Sequence, residues 1–245
     1  LGDEAFESAR RSKAITSAQK RVEGRNFDTR KQLLNYDDVL SRQRKIRYDR
    51  RDHILYSKTI SETMPDYFRL TSKTLCNQAT YVKDQETIVD AKKLAEVTAK
   101  ALSIDPSTIH VEALDQANIN DAIELFSAVL EKRYKEHSKD WTQERRDFAE
   151  KTVCLDCIDR RWTKHIDSMS KLRDAIWLRS YAQTDPLQAY TNEGFARFDD
   201  RNSNIANDVV RTILHVRFRK NPEVQQNLAK APINQTIPAA EKKVK

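Results

Sequence analysis

Apolar residues recur through most of this 245-residue chain at three- and four-residue intervals, the spacing that lines one face of an α-helix. The first such stretch predicts one long helix from Arg10 to Ser57, because no proline precedes Pro65 and only Gly24 interrupts it. At about 1.5 Å per residue such a helix reaches roughly 72 Å, the length of a strut rather than of a core helix. Within it Leu33, Tyr36, Leu40, Tyr48 and Leu55 fall near one line, and Val39, Ile46 and Ile54 mark an adjacent one. Two narrow seams imply more than one packing neighbour.

From Lys58 to Asp140 the pattern shortens. Met64-Pro65 and Asp105-Pro106 punctuate it, and the apolar positions predict a small helical module. One helix in that module is expected over Ile88-Val89, Ala91, Leu94-Ala95 and Ala99 up to Leu102, with a turn at 103–108. Another is expected to start near Asn118-Ile119-Asn120, with Asn120 as its N-cap. A second long helix runs from Trp141 to about Leu178, with Phe148, Leu155, Ile158, Trp162, Ile166, Met169, Leu172 and Ile176 on one stripe. Asp185-Pro186 then ends one helix and starts the next, since proline is tolerated at a first helical position. The third helix, Leu187 to Lys220, carries Tyr190, Phe195, Phe198, Ile205, Val209, Ile213, Val216 and Phe218, enough to close a hairpin on the second. The tail from Asn221-Pro222 onward reads as a partly disordered linker. The expected organisation is therefore a scaffold helix at 1–58, a wing at 59–140, a two-helix finger at 141–220 and a linker at 221–245.

Composition sharpens the class. Three glycines and six prolines against 33% charged residues argue against sandwiches, barrels and phosphate-loop folds, and point to an all-α protein. A mean hydropathy of −0.79 suits long helices that expose most of their circumference. No run of about 18 apolar residues is present, and the first residues have no leader-like apolar core. The chain does not begin with Met, which points to a piece of something longer. Three cysteines, an odd number at low density, fit a reducing cytosol.

Charge adds position to this picture. Of the formal +7, a net +8 lies between Arg10 and Leu55, where 14 Lys/Arg face 6 Asp/Glu. The remainder of the chain sums to about −1. The basic helix is open to three readings: a solvated face, a surface docked on an acidic domain, or a nucleic-acid contact. Phe27, Tyr36 and Tyr48 are not interleaved with the basic residues as a stacking platform requires, which argues against nucleic acid.

Candidate chemistry is sparse. There is no GxxxxGK[ST], GxGxxG or GxSxG, so neither a catalytic residue nor a nucleotide site is expected. Cys154 and Cys157 spell CxxC but sit inside a helical apolar stripe without a second pair, which reads as core rather than metal. The five histidines show no ligand spacing, and His165 reads as a packing group. Asp37 and Asp38 point about 100° apart on a helix and read as partners of nearby arginines. Tyr181 stands in the expected hairpin tip with Arg179, Ser180, Ala182, Gln183 and Asp185, either offering an amphipathic contact or folding back to pin the loop.

These residues also carry a family resemblance. The run from Ser17 to Glu23, Asn26 to Leu34, Tyr36-Asp37-Asp38-Val39, Gln43-Arg44 and Tyr48 closely resembles the start of the helical scaffold domain of the SecA family of ATP-driven preprotein translocases. Leu155, Asp159, Trp162, His165, Met169, Leu172-Arg173, Ile176, Leu178-Arg179, Tyr181-Ala182-Gln183, Asp185-Pro186, Tyr190, Glu193, Phe195 and Phe198 resemble its two-helix finger. The resemblance covers about residues 12 to 220 and is weakest across the wing.

The resemblance implies that Asn26, Arg30, Tyr36, Asp37, Asp38 and Arg44 lie at interdomain scaffold contacts, and that Trp162, Met169, Leu172 and Ile176 pack the finger. It implies that Arg179, Ser180, Tyr181, Ala182, Gln183 and Asp185 meet preprotein and the SecY channel. The implied role is to couple motor domains to preprotein movement and to restrain ATP hydrolysis. ATP and Mg then belong to the motor domains, with no cofactor and no metal here. The implied location is the cytoplasmic face of the plasma membrane, with acidic lipid and a homodimer among compatible partners and no nucleic acid. Departures are Ser180 where the family commonly has Gly, Thr184 where Lys is frequent, Arg47 in an apolar position, and no cysteine-rich tail. The alternative from another class is a helical interaction scaffold without a role in transport.

Overall fold

The computed structural model describes residues 9–83, 86–109, 111–179 and 185–218. The chain divides into two units, Leu1–His215 and Val216–Lys245. Among the described residues six α-helices and two short strands occur, all in the first unit. The protein is thus mostly helical, and no described helix is long and apolar enough to cross a membrane.

The strut exists as one element, α1, Ala9–Tyr56, 48 residues long. The two later long helices are α5, Gln143–Arg179, and α6, Pro186–Ile213. Asp185 caps α6 by accepting from the Leu187 N–H at 3.0 Å, with Pro186 at the first turn. The helix α6 stops at Ile213, not Lys220, so Val216 and Phe218 lie beyond it.

Between strut and hairpin lie α2, Met64–Gln78, α3, Ala91–Leu102, and α4, Ile119–His137, with α2 packed on α4 and α6. Two expectations fail here. Ile88 and Val89 belong not to a helix but to β2, Glu86–Val89, which pairs antiparallel with β1, Thr80–Lys83, placing Thr80 opposite Val89. The reason is non-local. The Val89 N–H donates to Ala117 O at 3.1 Å and Val89 O accepts from the Gln116 N–H at 3.0 Å, so the backbone is held in extended form. The helix begins only where Asp90 caps it, accepting from the Lys93 N–H at 3.0 Å. Second, the N-cap of α4 is Asn118, which accepts from the Asn120 N–H at 3.0 Å, so Asn120 is inside the helix.

The seams of α1 also differ from expectation. Leu33, Ile46, Tyr48 and Leu55 are exposed, and from residue 12 to 34 every side chain faces outward. The buried line is Val39, Gln43 and Ile54, flanked by half-buried Tyr36, Leu40 and Arg47. On the hairpin Phe148, Ile166 and Phe195 are exposed. The buried stripe of α5 instead runs through Val153, Cys154, Cys157, Ile158, Trp162, His165, Met169, Leu172 and Ile176. Val39 joins Met169, Leu172, Ile176 and Tyr190 in one apolar cluster, which Tyr36, Leu40 and Ala189 cover. Burying each such side chain contributes about 1.5–3 kcal/mol, enough to fix the second half of α1 onto the hairpin.

Candidate functional site

The strut meets the hairpin at a junction built around a glutamine. Gln43 is fully buried at 0% exposure. Its Nε2 donates to Gly194 O on α6 at 3.1 Å, which leaves Oε1 to face His165 Nε2 on α5 at 2.7 Å. Because Oε1 can only accept, His165 carries a proton on Nε2. One amide side chain therefore ties three helices. Gly194 permits the approach, since a Cβ there would stand 2.8 Å from Met169 Cε and 3.8 Å from Gln43 Nε2.

The imidazole is 4% exposed and lies between aromatic rings, 5.6 Å from Trp162 and 5.7 Å from Phe198 by centroids. Its pKa is pushed down to about 4, first by burial and then by the charges of Arg201 and Arg197. Around it is a concentration of guanidinium groups. Arg201 is 6% exposed, stacked 4.2 Å over Phe198 and 5.3 Å over Trp162. Burial and the neighbouring Arg50 and Arg47 lower its pKa to about 10, so it remains charged at neutral pH. Arg47 donates to Asp159 Oδ1 at 2.6 Å, and Arg51 approaches Asp159 Oδ2 at 3.6 Å. At the strut's end a buried carboxylate gathers the connection to α2. Glu150 accepts from the Tyr134 hydroxyl at 2.6 Å and from Ser61 Oγ at 2.8 Å, while Lys151 Nζ donates to Ser57 O.

The sequence-predicted residues fall in three places. Trp162, Met169, Leu172 and Ile176 are buried on the stripe of α5. Asn26, Arg30, Asp37, Asp38 and Arg44 are exposed on α1, where Asp38 pairs with Arg42 at 2.7 Å, and Tyr36 instead packs edge-on against Tyr190 at 4.9 Å. Ser180, Tyr181, Ala182 and Gln183 lie outside the described residues, and of Arg179 only its place as the last residue of α5 is described. Asp185 is the cap of α6. Cys154 and Cys157 are free and buried, and burial pushes the Cys154 thiol up to about 12. No cluster among the described residues has the ligand set for a metal ion.

Sequence reasoning did not single out Gln43, Gly194 or Arg201 as a junction. The available signal was a polar residue on an otherwise apolar line, since Tyr36, Val39, Leu40, Gln43 and Arg47 recur at helical spacing.

A strut clamped side-on to a helical hairpin, with a small module inserted between them, defines a helical wing-and-scaffold assembly. The family model described as SecA Wing and Scaffold domain matches residues 5–217, and the chain belongs to that family. Over 223 residues the chain is 35% identical to the protein translocase subunit SecA of Clostridium beijerinckii, covering 90% of this chain and 26% of that protein. It is 33% identical over 221 residues to the same subunit of Clostridium novyi, and 31% identical over 238 residues to that of Clostridium acetobutylicum. The chain spans about a quarter of the length of these curated relatives, 26 to 28%.

Proposed function

We propose that this chain is the coupling part of a SecA-type protein translocase, transmitting the state of ATP-hydrolysing motor domains to a finger that engages preprotein at the SecY channel. The observation that carries this reading is the division of α1. Its second half is locked to the hairpin through Gln43, Val39 and Arg47, while its first half exposes Ile15, Val22, Phe27, Leu33 and Leu34. Ile15, Val22 and Leu33 lie on one helical face, an apolar line suited to docking the motor domains. A stiff helix held at one end and docked at the other carries displacement without hinging, since bending would cost the side-on contacts.

In this reading the connection 179–185 meets the polypeptide, with Tyr181 contributing a ring and a hydroxyl that suit any passing sequence. Catalysis, ATP and Mg belong to the motor domains, and the chain works at the cytoplasmic face of the membrane. The test is Tyr181→Ala in the complete protein. Translocation into vesicles should fall severalfold while basal ATP hydrolysis stays within about twofold; unchanged transport removes the tip role. A transport-free interaction scaffold would instead show no binding of the SecY complex that depends on residues 179–186.

A further inference from the structure

A second feature lies between α5 and α6, away from the strut's apolar contacts. Arg161, Lys164, Ser168, Arg197, Asp200 and Arg201 line one open cleft, together with the buried His165. Its charges do not balance. Arg161 is neutralised by Asp208 at 2.6 Å. Lys164 is exposed and has no ion pair among the described residues. Arg197 Nη1 reaches only neutral oxygens, Ser168 O at 3.1 Å and Ser168 Oγ at 2.6 Å. Arg201 is nine-tenths buried, and its Nε and Nη1 have no partner. Besides its stacking on Phe198 and Trp162, it makes one long 3.4 Å hydrogen bond to Asn202 Oδ1. The positive charges of Arg50 and Arg47 on α1 act on it as well. Three cations thus share the cleft with a single carboxylate, Asp200.

A buried guanidinium without a counter-charge is costly to keep, and an anion seated at the mouth of the cleft would relieve it. We propose that this cleft binds the carboxylate of an Asp or Glu side chain presented by a polypeptide segment, seated between Lys164 and Arg197 above Arg201. Lys164 and Arg197 supply the hydrogen-bond donors. Arg201, whose free N–H groups are shielded, acts through its field in a poorly screened site. The cleft is open and shallow, which suits one projecting side chain rather than an enclosed small molecule. Asp200 stands in the cleft and exposed Asp199 precedes it on α6, so a continuous anionic sheet such as a membrane meets carboxylates that a single projecting side chain can avoid. The site lies about 15 residues of α5 from Arg179, roughly 22 Å along the helix, and is therefore separate from the connection assigned to preprotein.

The experiment uses the complete protein and a fluorescein-labelled Glu-rich peptide, with binding read by anisotropy. Lys164→Gln combined with Arg197→Gln should weaken binding at least about tenfold, and Arg201→Met by roughly threefold to tenfold. Lys45→Gln on the basic strut should leave it unchanged. Circular dichroism verifies folding; were Arg201→Met to unfold, the double variant at exposed Lys164 and half-buried Arg197 decides alone. Absent peptide binding, an unaffected double variant, or equal weakening by Lys45→Gln overturns the proposal. Vesicles of phosphatidylglycerol or inorganic phosphate responding to the double variant while the peptide does not would overturn its polypeptide source.

Discussion

Replacing Gln43 by Leu tests the junction most directly, because the two side chains have similar volume and differ in the two hydrogen bonds that cross the helices. The Gly194 carbonyl loses a supplementary donor but keeps its place in the α6 ladder, so this loss is small, about 0.5 kcal/mol. The His165 Nε2–H is the greater problem. It is buried, 2.7 Å from the lost oxygen, and surrounded by Trp162 and Phe198. Leaving such a donor unmatched costs about 1–3 kcal/mol, and the extra apolar burial of Leu offsets about 1 kcal/mol. The net expectation is a destabilisation of about 1.5 kcal/mol, read as a fall of about 0.7 M in the urea midpoint followed by circular dichroism. The cycle is completed with His165→Leu and with the double variant. Removing the orphaned donor should recover stability, giving a favourable coupling of about 1–2 kcal/mol in the double variant. A coupling below about 0.3 kcal/mol would refute the amide bridge and leave the junction as apolar packing alone.

Three further outcomes follow from the same geometry. The folded pKa of His165, about 4, lies below its ordinary 6.5, so the neutral ring contributes stability that is present above pH 6.5 and lost as pH falls towards 4. The loss, about 2 kcal/mol after allowing for solvent screening, should be absent from His165→Gln when urea midpoints at pH 7 and pH 4.5 are compared. Asp159→Asn leaves Arg47 and Arg51 without their carboxylate and should cost about 2 kcal/mol, whereas Asp38→Asn breaks only the exposed Arg42 pair and should cost under about 0.5 kcal/mol by the same unfolding assay. Burial raises the Cys76 thiol to about 11 and Cys154 to about 12, so neither should react with iodoacetamide at pH 8 until urea unfolds the chain, as mass spectrometry would read.

The Gln43 case also shows why periodicity misjudged the face of α1. Pattern reading grades side chains by their cost in water, so its two seams caught Val39 and Ile54 but also took in the exposed Leu33, Ile46, Tyr48 and Leu55, and left Gln43 out. In the folded protein Gln43 is buried because Gly194 and His165 offer a donor and acceptor arrangement that matches its amide, and these lie 151 and 122 residues away. Phe148, Ile166 and Phe195 err in the opposite direction, apolar yet exposed, because the number of faces a helix buries depends on how many neighbours it has. The charge excess of α1 was legible as a concentration, but which arginines enter the junction was not.

What the chain determines locally is the division into helices. Scarce glycine and proline, the Asp185-Pro186 break and helical spacing set the extents of α1 and α5 and the start of α6 to within about two residues, because such helix ends depend on capping and dihedral preferences within a few neighbours, whereas the end of α6 falls seven residues before the expected Lys220. The tertiary structure alone decided the β1–β2 pair, whose four-residue strands depend on Ala117 and Gln116 for backbone partners, and the buried line through Gln43 and Arg47. Those choices rest on hydrogen bonds and charge between residues far apart in the chain, where the energy belongs to the pair and is not written in either residue alone.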